Sequence, residues 1–168
     1  MPYLTPVLLS ALLACTSGDA EDTGTTPSTS TSTSGSGLGT LALRFSMDPD
    51  YIEIMDEEPS GPFWGSIFDS DQVSGVGPED GAEVLGTIEV ESFSLDPAGG
   101  STEVLFQTEA LPNIKVVILG FLDSDGNADI TDPDPDDGDP VTLPGDNRFT
   151  VVSDVETEID VYFGFLNP

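Results

Sequence analysis

From residue 40 onward, apolar residues recur at every second position and not at the 3.6-residue spacing of a helix. Leu41, Leu43, Phe45 and Met47 alternate with Thr40, Ala42, Arg44 and Ser46, which predicts a strand with one face in the core. Met47-Asp48-Pro49-Asp50 reads as a turn held by Pro49. Residues 51–55 then predict a short second strand, and 56–61 a loop. Residues 62–68 predict a further strand, with Phe63 and Ile67 on one face and Trp64 and Phe68 on the other. Residues 69–81 read as a loop rich in glycine and acids.

The next stretch, 82–95, is longer than an ordinary strand and changes parity. Val84, Ile88 and Val90 share one face, Phe93 and Leu95 the other, and a bulge near Glu91-Ser92 would bring all five to one core. A turn at 96–100 leads to Thr102, Val104, Phe106 and Thr108, so the two arms predict a hairpin. Residues 114–122 are apolar on both parities: Ile114, Val116, Ile118 and Leu122 against Val117, Leu119 and Phe121. That pattern predicts a central strand covered on both sides. Residues 148–152 and 155–165 complete the series, and in the last Ile159, Val161, Phe163 and Phe165 alternate with Glu158, Asp160, Tyr162 and Gly164. No segment has the pattern of an amphipathic helix. About seven or eight strands punctuated by Pro and Gly predict an all-β fold, a single antiparallel β-sandwich.

The first 39 residues follow a different logic. Residues 7–14 are an apolar run of signal-peptide length, too short to span a bilayer. The run ends at Leu12-Leu13-Ala14-Cys15, which resembles a bacterial lipobox. The resemblance implies a diacylglycerol on the Cys15 thiol, cleavage before Cys15 and acylation of the new amino terminus. An ordinary secretory leader with a stray cysteine is the alternative. Residues 1–6 contain no Lys or Arg, a departure from the lipoprotein pattern, and no twin-arginine signal is present, so Sec export is expected. By resemblance to Gram-negative lipoproteins, Thr16 after the cysteine implies the outer membrane or cell surface. More than one acyl chain makes such an anchor stable.

Residues 16–39 are of low complexity; between Thr23 and Ser36, 11 of 14 residues are Ser or Thr. Such a segment buries too little apolar surface to offset its ordering entropy and is expected to be a disordered tether. About 24 flexible residues give an r.m.s. reach of roughly 25–30 Å. The expected organisation is therefore a signal peptide (1–14), a lipidated cysteine with its linker (15–39) and one β-sandwich domain (40–168).

Composition narrows the chemistry. The chain of 168 residues carries 32 acids, 3 bases and no histidine, for a net charge of −29. Such a surface repels nucleic acid and favours cations, and it also fits a protein from a saline habitat. Without histidine there is no Ser-His-Asp triad and no histidine metal ligand. A single cysteine makes neither an internal disulfide nor a cysteine zinc site. The remaining carboxylate, hydroxyl and carbonyl oxygens are hard ligands suited to calcium.

The oxygens concentrate between Asp123 and Asp139, with eight aspartates in 17 residues. Asp123, Asp125, Asn127 and Asp129 stand at alternate positions, from which side chains in a tight turn can converge on one ion. The string resembles the calcium loop of an EF-hand. Asp123, Asp125 and Asn127 match its first three ligand positions, Asp129 its seventh and Asp134 its twelfth. The departures are Ala128 at the glycine position, aspartate in place of glutamate at the twelfth, and no flanking helices, so the expected cage is a convergent one on a strand end. Weaker candidate ligands are Asp132, Asp136, Asp137 and Asp139, together with Asp69 and Asp71 if both strand ends share a rim. A solvated acidic loop that binds nothing is the alternative. More broadly, Leu111-Pro112 followed by the apolar strand and Asp123-Ser124-Asp125-Gly126-Asn127 resembles a motif of transthyretin-like and Cna-B-like bacterial β-sandwiches. That likeness implies a stalk or surface-binding module and not a catalyst.

Three functional readings follow. The first is a lipid-anchored, non-enzymatic surface module stabilised by calcium, with an extracellular protein or glycan as partner. The second is a carbohydrate-binding module using Trp64, Tyr51 or Tyr162. The third is a carboxylate-based glycoside hydrolase.

Overall fold

A computed structural model describes residues 37–55 and 59–168; the leader, Cys15 and nearly all of the expected tether lie outside the described residues. Nine strands make up the sheet: β1 (Leu38–Met47), β2 (Ser60–Asp69), β3 (Val84–Ser94), β4 (Phe106–Gln107), β5 (Leu111–Pro112), β6 (Lys115–Leu122), β7 (Pro140–Thr142), β8 (Arg148–Thr150) and β9 (Glu156–Leu166). They run in the order β3-β2-β6-β7-β9-β1-β4, with β5 added to β1 and β8 to β6, and the sheet folds round one core into a sandwich that is nearly a barrel. The strand count exceeds the expected one because β4, β5, β7 and β8 are only two or three residues long. Residues 38 and 39, expected in the tether, already belong to β1 and pair with Pro112 and Leu111.

The period-two pattern sorts the core as expected. Leu41, Leu43, Phe45 and Met47 are all buried, as are Phe63, Ile67, Ile159, Val161 and Phe163. Phe45, on β1, stacks near Phe63 of β2, Phe93 of β3 and Phe163 of β9, with ring centroids 4.9, 5.0 and 6.1 Å apart. One aromatic cluster thus ties both halves of the sheet, each pair adding about 0.5–1.5 kcal/mol beyond its buried area. Gly65 and Gly120 sit opposite each other under the Phe63 ring. A Cβ at Gly120 would lie 2.3 Å from the Trp64 carbonyl oxygen and 2.6 Å from the Phe63 ring, so the two glycines are what lets that ring lie flat against the sheet.

β3 contains the expected bulge. Gly61 pairs with Phe93 but Phe63 with Val90, which inserts one extra residue at 91–92 and turns Phe93 onto the core alongside Ile88 and Val90. A second irregularity follows where Ile67 pairs with Gly86 and Phe68 with Val84. It sends Leu85 to the core and leaves Val84 exposed, contrary to expectation.

Three further details depart from expectation. Residues 51–55 are not a strand. Helix α1 (Pro49–Ile54) forms there, with Asp48 as N-cap accepting the Asp50 N–H and Pro49 in its first turn. Six residues are too few to reveal a helical period. The 82–108 hairpin does not form either. β3 pairs with β2, while residues 102–108 run beside β1 at the other edge, with Thr102, Leu105 and Thr108 N–H groups donating to Phe45, Leu43 and Leu41 carbonyls. Thr102 and Thr108 hydroxyls accept the Phe45 and Leu41 N–H groups, so side chains replace ladder rungs and β4 stays short. Finally, the sheet is not wholly antiparallel: β1 and β9 are parallel from Thr40↔Glu156 to Met47↔Phe163.

Candidate functional site

β6 and β7 are antiparallel neighbours, with Phe121 opposite Val141. Residues 123–139 are therefore the loop that joins two adjacent strand ends. Asp123 leaves β6 and Asp139 enters β7, and both are buried, at 4% and 1% exposure. A buried carboxylate must be clad by donors. Asp123 Oδ1 accepts the N–H groups of Gly126 and Asn127, and Gly126 makes the turn at φ +74°. Asp139 Oδ1 accepts the Ser124 N–H and hydroxyl, and its Oδ2 the Asp136 N–H. Burial pushes the Asp139 carboxyl above the usual range and the nearby Asp136 charge adds to this, against the pull of those donors. Asp139 thus ties the two halves of the loop together, while Asp123 closes the turn of the first half.

Above the stem, Asn127 Nδ2 donates to Asp125 Oδ2 at 2.7 Å and to Asp136 Oδ2 at 2.5 Å. Two carboxylates meet at a single amide nitrogen. Asp125, Asp136, Asp137 and Asp139, with Ser124, line one cavity of about 280 Å³, and no Lys or Arg lines it. Asn167, near the chain end, stitches the far side. It exchanges backbone hydrogen bonds with Gly138 and Asp139, and its amide donates to the carbonyls of Pro135 and Asp136. No signal in the sequence links Asn167 to this loop, 28 residues away in the chain at its nearest member Asp139.

The sequence candidates divide. Asp125, Asn127, Asp136, Asp137 and Asp139 come together. Asp123 stands at the stem but is turned to the loop's own N–H groups. Asp129 is exposed and caps its own turn, accepting the Thr131 N–H and hydroxyl, which hold it below the usual carboxylate range. Asp132 is exposed in that same turn. Asp134 points the other way and lines a second depression. Asp69 and Asp71 do not join: Asp69 pairs with Val116, at the far end of β6 from Leu122, six residues or about 20 Å off. Asp69 instead caps the 3-10 turn Ser70–Gln72 by accepting the Asp71 N–H. Among the described residues, no three acids already stand as a finished metal cage.

The second depression, about 810 Å³, lies on the outer face of β3, β2, β6 and β7. Trp64 and Phe68 project outward from β2 as the pattern predicts, beside Leu119 and Phe121 of β6, and Pro133, Pro135 and Pro144 wall the groove. Trp64 is half-buried, and its indole nitrogen is covered without a hydrogen-bond partner among the described residues. Of the other aromatic candidates, Tyr51 packs on the core and the Tyr162 hydroxyl sits 3.4 Å from Asp48. Desolvation, and then the Asp48 charge, raise the Tyr162 phenol above its ordinary range.

Set against protein-family models, curated proteins and solved structures, the chain matches none of them.

Proposed function

We propose that this protein is a lipid-anchored, non-enzymatic module of the cell envelope, held through Cys15 and stabilised by calcium at the loop between β6 and β7, with a binding or structural role. The observation that carries the calcium reading is the meeting of Asp125 and Asp136 at one amide nitrogen, in a cavity that Asp137 and the buried Asp139 also line and no base enters. Like charges gathered without a cation repel one another, and hard oxygen donors in that number suit calcium. Asp125 and Asp136 are the residues that would hold the ion, joined by Asn127 through Oδ1 once its amide turns, and its chemistry there would be charge neutralisation that fastens the loop to the stem. The lipid anchor rests on the lipobox resemblance of residues 12–15.

The hydrolase reading is weaker. Glu89 and Asp134 share the outer groove, but both are exposed, without the apolar enclosure that sets a general acid apart from its partner carboxylate. The carbohydrate reading retains Trp64 alone as a partly exposed ring in a groove.

Calcium is tested by thermal unfolding of the protein in chelator and in a calcium series. At a calcium concentration of about 100 times Kd the expected gain is about 2.7 kcal/mol, and Asp136→Asn should remove most of it. An unfolding curve that does not move with calcium ends the metal reading.

A further inference from the structure

We propose that the groove of Trp64 and Phe68 is a docking site for a cationic polypeptide segment whose apolar parts seat on the aromatic floor. Three observations on the molecule select this occupant. The floor is apolar and aromatic, while the charged side chains at its rim, Glu89 and Asp134, are both acids, and no base lines it. The chain as a whole carries −29, so a positively charged macromolecule is drawn to it and an anionic one is repelled. Trp64 and Phe68 lie partly exposed on the floor, where the apolar stem of a long side chain can cover them.

The same arithmetic excludes nearer occupants. A second copy would bring another −29 and very few free cations, because Arg44 is paired with Glu158 and Arg148 is spent on Ser70 and Val73. The Ser- and Thr-rich segment 16–36 carries acids at Asp19, Glu21 and Asp22 and no base, so it has neither the charge nor the apolar residues to match. A neutral glycan would find stacking and hydroxyl groups there, but it would leave the charges of Glu89 and Asp134 unmatched. A Lys or Arg side chain suits both features at once: its stem covers the ring, its charge meets the acids at the rim, and its cation is drawn to the indole face. The groove shares no lining residue with the Asp125–Asp136 cavity, though Pro133, Asp134 and Pro135 belong to the same loop; binding is expected with and without calcium.

Trp64 is the protein's single tryptophan, which makes it a direct reporter. The test titrates the full-length protein, in chelator, with a synthetic peptide of repeating Lys-Leu-Pro while following indole fluorescence. Saturable binding is expected, weakened at least about tenfold by Glu89→Lys and by Trp64→Ala when the peptide carries its own label. Glu109→Gln, away from the groove, should leave it unchanged. Equal binding by wild type and Glu89→Lys would reduce the effect to general attraction toward an acidic surface and overturn the proposal. So would an indole response to a neutral oligosaccharide with none to the peptide. If Trp64→Ala does not fold, Glu89→Lys, on an exposed position of the edge strand, still decides.

Discussion

The two faces of β2 and β6 are built from the same strands and serve opposite ends. On the inner face Phe63 lies across Gly65 and Gly120 and meets Phe45 and Phe163 in a sealed aromatic cluster. On the outer face Trp64 stands opposite Phe121, yet the covering is a loop and a few prolines, and a groove remains. A one-residue step along β2 separates a ring that is all structure from a ring free to do something else. The acidic loop repeats the contrast: the carboxylates of Asp123 and Asp139 are buried and clad, whereas that of Asp129 is exposed and serves only its own turn.

The sharpest break in this comparison is Phe63→Ala. It should cost about 3–5 kcal/mol in denaturant unfolding, because the cavity opens at the centre of the cluster under a rigid glycine pair. Asp139→Ala follows, with an expected loss of about 2–3 kcal/mol as the Ser124 and Asp136 N–H groups lose their acceptor. Trp64→Ala should cost less, about 1–2 kcal/mol, since the ring is half-buried and outside the core cluster. A Trp64→Ala loss as large as that of Phe63→Ala would mean the two faces are equally structural.

The smallest effect separates the two acids by sign. Asp139 has a raised carboxyl in the folded protein, so its contribution is present below the ordinary carboxylate value and is lost as pH rises through the raised one. Asp129 is lowered, so its contribution is present above the ordinary value and is lost as pH falls through the lowered one. Stability differences from wild type, measured across acid pH, should therefore grow for Asp139→Ala and shrink for Asp129→Ala as the solution is acidified. Parallel trends would show that the stem and tip carboxylates are not distinct in kind.

Much of this was legible in the residues. Alternation on β1, β2 and β9 is a local property of the extended chain, since successive side chains must point to opposite faces, and it correctly named most of the core. The bulge at 91–92 was visible for the same reason, as a change of parity. The helix at Pro49–Ile54 was written in its Asp-Pro cap but hidden by its length, and the false hairpin at 82–108 shows the limit of local patterning. Two arms joined by a turn can pair with each other or with strands already laid down, and here burial of the shared core sent them to opposite edges.

The site divides along the same line. The sequence by itself determined that the chemistry would be that of oxygen ligands on an acidic all-β domain, and that Asp125 and Asn127 would stand in a turn at the end of the most apolar strand. Only the tertiary structure decided that Asp136 and Asp139 return to meet them, that Asp69 and Asp71 lie at the opposite rim, and that Asn167 closes the loop. The physical reason is that side-chain alternation is fixed within a few residues, whereas the partner of a strand end is chosen by how the whole sheet closes round its core.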